Sequence, residues 1–199
     1  GGSAERIHNT PEVPPGPVDS YHTVDAPWAN ASNTPFRLFK RFGHEGGIST
    51  PLIARWPAAV PCGGRISRQV GHVLDFMPTF LELAGAEYPG VFAGRKVLPH
   101  EGCSLLPALL GHGEERPRTL CWSHSGARAI RHGRWKLVTA GPRERDGLPE
   151  GDAAGTAAWE LYDLETDRCE LRNLAMHRPD LVADLSARWE AWARRCAQR

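Results

Sequence analysis

Lys40, His44 and Glu45 crowd against the glycine pair Gly46-Gly47 in the stretch from Asn33 to Pro51. A lysine brings a lasting positive charge, and a histidine beside a carboxylate can orient or hold a proton. Two adjacent glycines allow a tight turn and let the backbone come close to a ligand. Together these residue types describe an anion-binding loop with Lys40 as its charge; the plainer alternative is a lysine solvated on a surface turn. His8 and His22 have no partners at metal-ligand spacing and read as loop residues.

The loop must be held by ordered elements on either side. Residues 1–32 contain Pro11, Pro14, Pro15, Pro17 and Pro27 among glycines and polar residues and read as irregular. Thr34 to Phe39 fits a short strand or a turn of helix, and the sequence does not decide between them. Leu52 to Trp56, bounded by Pro51 and Pro57, is short and apolar, which predicts a strand buried in a larger sheet. Asp75 is placed to cap a helix from Phe76, with Pro78 in its first turn, Phe76, Met77, Phe80, Leu81 and Ala84 packing a core, and Gly85 closing it. His72, just upstream, reads as a structural histidine holding a backbone carbonyl.

From Glu87 to Arg118 glycine and proline predominate, with one short helix expected over Ser104 to Leu110, and the segment reads as a crossing between two units. Beyond it, runs at Thr119 to Ser123, Ala127 to Arg131, Trp135 to Val138 and Trp159 to Tyr162 have strand character. The middle two are joined across His132-Gly133, a hairpin signal. Residues 140–157 read as a solvated loop. From Pro179 to Cys196, Leu181, Leu185, Trp189, Trp192 and Cys196 form one apolar stripe. Asp180 and Asp184 lie toward the positive end of the helix dipole and Arg194 and Arg195 toward the negative end. The expected unit is a four-stranded antiparallel sheet covered by this helix.

Composition narrows the functional classes. The 199 residues are 41% hydrophobic and 24% charged, enough for one or two globular domains. The net charge of +1 is the balance of 24 basic and 23 acidic residues without a long block of either sign, which gives no support to a nucleic-acid partner. No stretch is long and apolar enough to span a membrane as a helix. The first residues, Gly1 to Glu5, lack signal-peptide character. The five cysteines are widely spaced without a CxxC pair and read as scattered thiols, one or two disulfides being the alternative.

The segment from Asn33 to Pro57, with Lys40 ahead of Glu45-Gly46-Gly47, resembles the lysine loop of the sulfatase family, of the bacterial arylsulfatase type. The resemblance continues through His72 to Thr79, Gly133 to Leu137, Leu161 to Leu164 and Asn173 to Ala175, in family order and over nearly the whole chain. It implies an α/β fold: residues 1–112 as the C-terminal part of an alkaline-phosphatase-like catalytic domain, and residues 113–199 as a small α+β subdomain. It also implies a sulfuric ester hydrolase in which Lys40 is catalytic and binds the sulfate. His44 then either shapes the loop or lines the substrate entrance. Glu45, holding Lys40 or capping the glycine turn, supports it from behind together with Gly46 and Gly47. Arginine is frequent in relatives where Ser49 stands, so the non-sulfate part of the substrate is left open. His124 and Arg128 loosely resemble pocket-edge residues and read as surface.

The same resemblance implies a formylglycine nucleophile made in a CxPSR motif and a calcium ion held partly by an Asp-Asn pair followed by glycine. No cysteine here begins such a motif, no residue of this chain is assigned to a metal, and the chain opens on Gly1-Gly2. The expectation is therefore a C-terminal fragment, inactive and poorly soluble alone, whose partners are an N-terminal part of the same polypeptide and a sulfate ester. Two alternatives are a non-catalytic binding or structural module on the same scaffold and a phosphoesterase or phosphonate hydrolase of the same superfamily.

Overall fold

The computed structural model describes residues 12, 14, 16–18, 24–60, 63–112, 118–124, 126–139 and 158–197. His8, His22, Cys62 and the loop expected over 140–157 lie outside them. Along the chain run helices α1 (Asp25–Ala31) and α2 (Glu45–Ile48), helix α3 (Phe76–Ala84), strands β1 (Val91–Phe92) and β2 (Arg95–Lys96), and helix α4 (Leu106–Leu110). Strands β3 (Thr119–His124), β4 (Ala127–His132), β5 (Trp135–Thr139) and β6 (Trp159–Asp163) follow, and helix α5 (Pro179–Ala197) closes the series.

The chain divides into two compact units, Gly1–Pro51 with Pro117–Arg199, and Leu52–Arg116. This grouping differs from the 1–112 and 113–199 division expected from sequence. The loop carrying Lys40 is tied to the later sheet by contacts that no local pattern announces.

In the first unit, β3, β4, β5 and β6 form an antiparallel meander in sequence order. Gly133, at φ 57, makes the turn between β4 and β5, where His132 pairs with Trp135, as the hairpin signal predicts. Alternation gives the sheet two different faces. On one, Ile130, Leu137 and Leu161 are buried with Leu185 of α5, flanked by Leu181 and Trp189. The Trp189 indole N–H also donates to Trp122 O at 3.0 Å. The expected apolar stripe therefore covers the sheet.

On the other face Ala129, Val138 and Tyr162 are buried. The backbone of 173–174 extends the edge of β6: Leu174 N–H donates to Leu161 O at 2.8 Å, and Asn173 Oδ1 accepts from Leu161 N–H at 3.1 Å. The Asn173-Leu174-Ala175 motif thus has a structural use.

Residues 25–31 form a helix where an irregular segment was expected. Pro27 falls in the first turn, where a missing N–H costs little, so it does not oppose the helix. Ala29 is then buried against Phe39 and Phe42.

In the second unit, α3 ends at Gly85 in the left-handed conformation, as expected. Its start differs. Asp75 makes no side-chain cap to α3; its carboxylate accepts instead from His72 N–H at 2.7 Å and Cys103 N–H at 2.9 Å. His72 Nδ1 accepts from Leu74 N–H at 3.2 Å, which fixes the histidine at the start of this turn. Thr79 fastens the later segment, accepting from Leu105 N–H at 2.8 Å and donating to Asp75 O at 2.6 Å.

The core role expected for the apolar residues of α3 is not met among the described residues. Phe76, Met77 and Phe80 are exposed, while Pro78 and Thr79 are buried. Leu52 to Trp56 likewise forms no strand, with Ile53 89% exposed, because a strand exists only through a paired neighbour. An unanticipated hairpin, β1 with β2, turns on Ala93 and Gly94, both at positive φ, which matches the twist of a two-residue turn. The four described cysteines, Cys103, Cys121, Cys169 and Cys196, are free thiols. Burial, with the Cys196 thiol nearby, pushes the Cys121 thiol up to about 11 despite Arg195, so it is an inert group.

Candidate functional site

Lys40 is exposed between two buried rings, Phe39 and Phe42, which meet edge to face with centroids 5.3 Å apart. The backbone on either side of Lys40 is bent unusually, with Leu38 at φ 66 and Arg41 at φ 92. Non-glycine residues in that region persist only when their surroundings over-determine them. Here α1 and the turn after it supply part of the constraint. Asn30 Oδ1 accepts from Leu38 N–H at 3.0 Å, and Asn33 Nδ2 donates to Leu38 O at 3.2 Å and to Ala29 O at 2.9 Å.

The remaining constraint comes from the polar face of the sheet. Glu45 begins α2 and turns its carboxylate inward to Lys136 of β5, with Nζ 2.8 Å from Oε1. Lys136 Nζ also lies 2.8 Å from Glu170 Oε1 as a charge contact, and all three side chains are buried. The second oxygen of Glu170 accepts the Glu45 N–H at 2.8 Å, and its carbonyl accepts from the Arg37 guanidinium at 2.9 Å. Arg168 approaches Glu45 Oε2 at 3.5 Å, donates to Ser49 Oγ at 3.2 Å and covers the Phe36 ring. Burial pushes the Glu45 carboxyl up, but the charge and hydrogen bond of Lys136, with Arg131 and Arg168, outweigh it and hold the group below its ordinary value.

A second polar arm holds His44. Its Nε2 lies 3.0 Å from Glu160 Oε2, and the Tyr162 hydroxyl donates to the same oxygen at 2.5 Å while accepting from Arg37 at 3.3 Å. Burial opposes ionisation of Glu160; hydrogen bonds from His44 and Tyr162 and the nearby charges of His44 and Arg37 prevail and lower its pKa. An ionised carboxylate only accepts, so His44 Nε2 must carry a proton. His44 Nδ1 is buried without a hydrogen-bond partner among the described residues. At 1% exposure the ring is walled in.

The glycine pair serves a purpose other than the one its type suggested. A Cβ on Gly46 would stand 2.2 Å from Leu38 O, and one on Gly47 would stand 2.1 Å from Phe42 O. The close approach is thus between α2 and the preceding loop of the same chain, and neither glycine is at positive φ. Gly43 packs in the same way against Ala129 and Val138 of the sheet.

Arg37, although exposed, is tied into this framework by its contacts with Glu170 O and the Tyr162 hydroxyl. Arg128, read as surface, is half-buried on the α5 face with its guanidinium 4.6 Å from the centroid of the Trp159 ring; His124 is exposed. Among the described residues no group of three or more His, Cys, Asp or Glu side chains could hold a metal. The acids beside the loop are occupied by Lys136, arginines and backbone amides, so they do not fit the calcium ion that the resemblance implies.

Sequence reasoning did not identify Lys136, Glu160, Tyr162, Glu170 or Arg168 as supports of the loop. The available signal was the position of Trp135–Thr139 as an inner strand of a meander, both of whose faces can be covered. A lysine there needs a buried counter-ion.

Residues 36–105 match the family described as N-sulphoglucosamine sulphohydrolase, C-terminal. An uncharacterized sulfatase of Schizosaccharomyces pombe is 36% identical over 178 residues, covering 87% of this chain and 30% of that protein. N-acetylgalactosamine-6-sulfatase of Sus scrofa is 43% identical over 95 residues, covering 47% and 17%. The crystal structure of Ps i-CgsB shares the fold, with a TM-score of 0.54 at 24% identity, over 80% of this chain and 32% of that one. The chain therefore spans less than a third of the length of these proteins.

Proposed function

Because this chain belongs to the sulfatase family and corresponds to its C-terminal portion, we propose that it completes the sulfate site of a sulfuric ester hydrolase, with the Lys40 ammonium meeting the sulfate. One observation carries the reading: Lys40 is exposed at a bend whose flanking rings and following helix are buried and clamped. An exposed lysine on a mobile turn adds little. One on a fixed backbone is a preorganised charge, which needs no reorganisation when negative charge builds on the sulfate oxygens or the leaving oxygen.

In this reading His44 shapes the loop and does not touch substrate, because its ring is enclosed and its Nε2 proton is committed to Glu160. Glu45 holds the loop through Lys136. The nucleophile and calcium ion of the family belong to the part of a sulfatase N-terminal to this chain, which is also its partner. The substrate class is a sulfate monoester.

The test is kcat/KM of the full-length protein on an aryl sulfate and an amino-sugar sulfate, with folding checked by thermal melting. Lys40→Ala should lower it by about a hundredfold or more. Lys40→Arg should recover only part, since a planar fork replaces a compact charge. A folded Lys40→Ala protein with near wild-type turnover would refute the assignment. Preference for a phosphate monoester over both sulfates would move the protein to the phosphoesterase alternative.

A further inference from the structure

We propose that Glu170 and Lys136 are positioning residues for Lys40, gripping both feet of the loop that carries it; this deepens the sulfate-site reading and rests on it. Glu170 contacts the loop at separate points. Its carbonyl takes the Arg37 guanidinium ahead of Lys40, and its Oε2 takes the Glu45 N–H behind it. The two feet are also joined directly, since Gly46 N–H donates to Arg37 O at 3.1 Å. Glu170 makes both contacts from a backbone at φ 57, a conformation that a non-glycine residue adopts only under constraint.

Lys136 completes the grip from β5, within 2.8 Å of both Glu45 Oε1 and Glu170 Oε1. It cancels part of the repulsion that would otherwise drive the two buried carboxylates, and the loop with them, apart. The path of the backbone that carries Lys40 is therefore held by residues far from it in sequence.

The experiment is a double-mutant cycle in the full-length protein, combining Lys40→Ala with Glu170→Gln and, separately, with Lys136→Met. In the wild-type background each support variant should lower kcat/KM on the order of tenfold to a hundredfold, as a misplaced catalytic group does. In the Lys40→Ala background the same change should cost less than about threefold, because the group being positioned is gone. Glu170→Asp keeps the charge but shortens the reach; it should be impaired too, and it serves if Lys136→Met does not fold. Arg188→Ala, on the exposed side of α5, should leave turnover unchanged. Equal losses in both backgrounds, or none in either while Lys40→Ala remains crippled, would overturn this inference and leave the sulfate reading standing. An active Lys40→Ala protein would remove the reading itself.

Discussion

Lys136 Nζ lies 2.8 Å from Glu45 Oε1 across a separation of 91 residues, and neither group is open to solvent. A lone ammonium could not occupy that position, since burying an unpaired charge costs far more than a domain can spare. The pair is therefore the condition on which the loop and the sheet face close over each other.

Removing one partner should be much worse than removing an exposed pair. Lys136→Ala leaves two buried carboxylates without their cation and should destabilise the unit by roughly 3–5 kcal/mol. Arg188→Ala, which breaks an exposed pair with Asp184, should cost only a few tenths of a kcal/mol. Chemical denaturation followed through the fluorescence of Trp135, Trp159 and Trp189 reports on this sheet directly. Similar midpoints for the two variants would contradict the account.

The acid limb of stability should depend on Glu45 and Glu160. Both folded pKa values lie below the ordinary 4.5, so the stabilisation is fully present above that value and is lost as pH falls through the lowered ones. The wild-type melting temperature should hold near neutral pH and drop as pH goes below 4.5. Glu160→Gln, already lacking one ionised group, should start lower and drop less steeply. Parallel curves for the two proteins would show that Glu160 adds nothing to acid sensitivity.

Gly46→Ala and Gly47→Ala should each destabilise the loop, by about 1–3 kcal/mol or more, because the new methyl meets carbonyl oxygens of the backbone and not a movable side chain. Gly63→Ala, with nothing within 4 Å of the added carbon, should be close to neutral. Melting temperatures of the three variants make the comparison. A neutral Gly46→Ala would mean that α2 does not pack against residues 37–38 as described.

The 199-residue chain alone should not turn over a sulfate ester, and it should self-associate. Ile53, Phe76, Met77 and Phe80 leave apolar surface exposed in the Leu52–Arg116 unit, and such surface is a source of association. Light scattering during size-exclusion chromatography, with an aryl sulfate assay on the same fractions, checks both. A monodisperse monomer would contradict the association, and metal-dependent turnover would contradict the division of labour proposed above.

What was legible in the sequence was periodic or local. The stripe from Leu181 to Trp189 requires a helix with one buried side, and the strand runs around His132-Gly133 require a hairpin. Both are present because side-chain period and turn chemistry act over a few residues. Local rules failed where a neighbour decided the outcome. Asp75 satisfies every condition for capping α3, yet its carboxylate serves Cys103 N–H instead. Leu52 to Trp56 has the composition of a buried strand, and among the described residues no strand pairs with it.

The lysine loop shows the same boundary. Its residue types and order were enough, by resemblance, to bring Lys40 forward, because a charge beside a glycine turn is written in the chain itself. That Glu45 faces Lys136, that His44 is sealed against Glu160, and that Gly46 is small for the sake of Leu38 O were decided only by the tertiary structure. The first two depend on the register of β5 and β6, which sets which face a residue occupies and so which distant charge it must meet. A partner chosen across 91 residues leaves no periodic trace at either end.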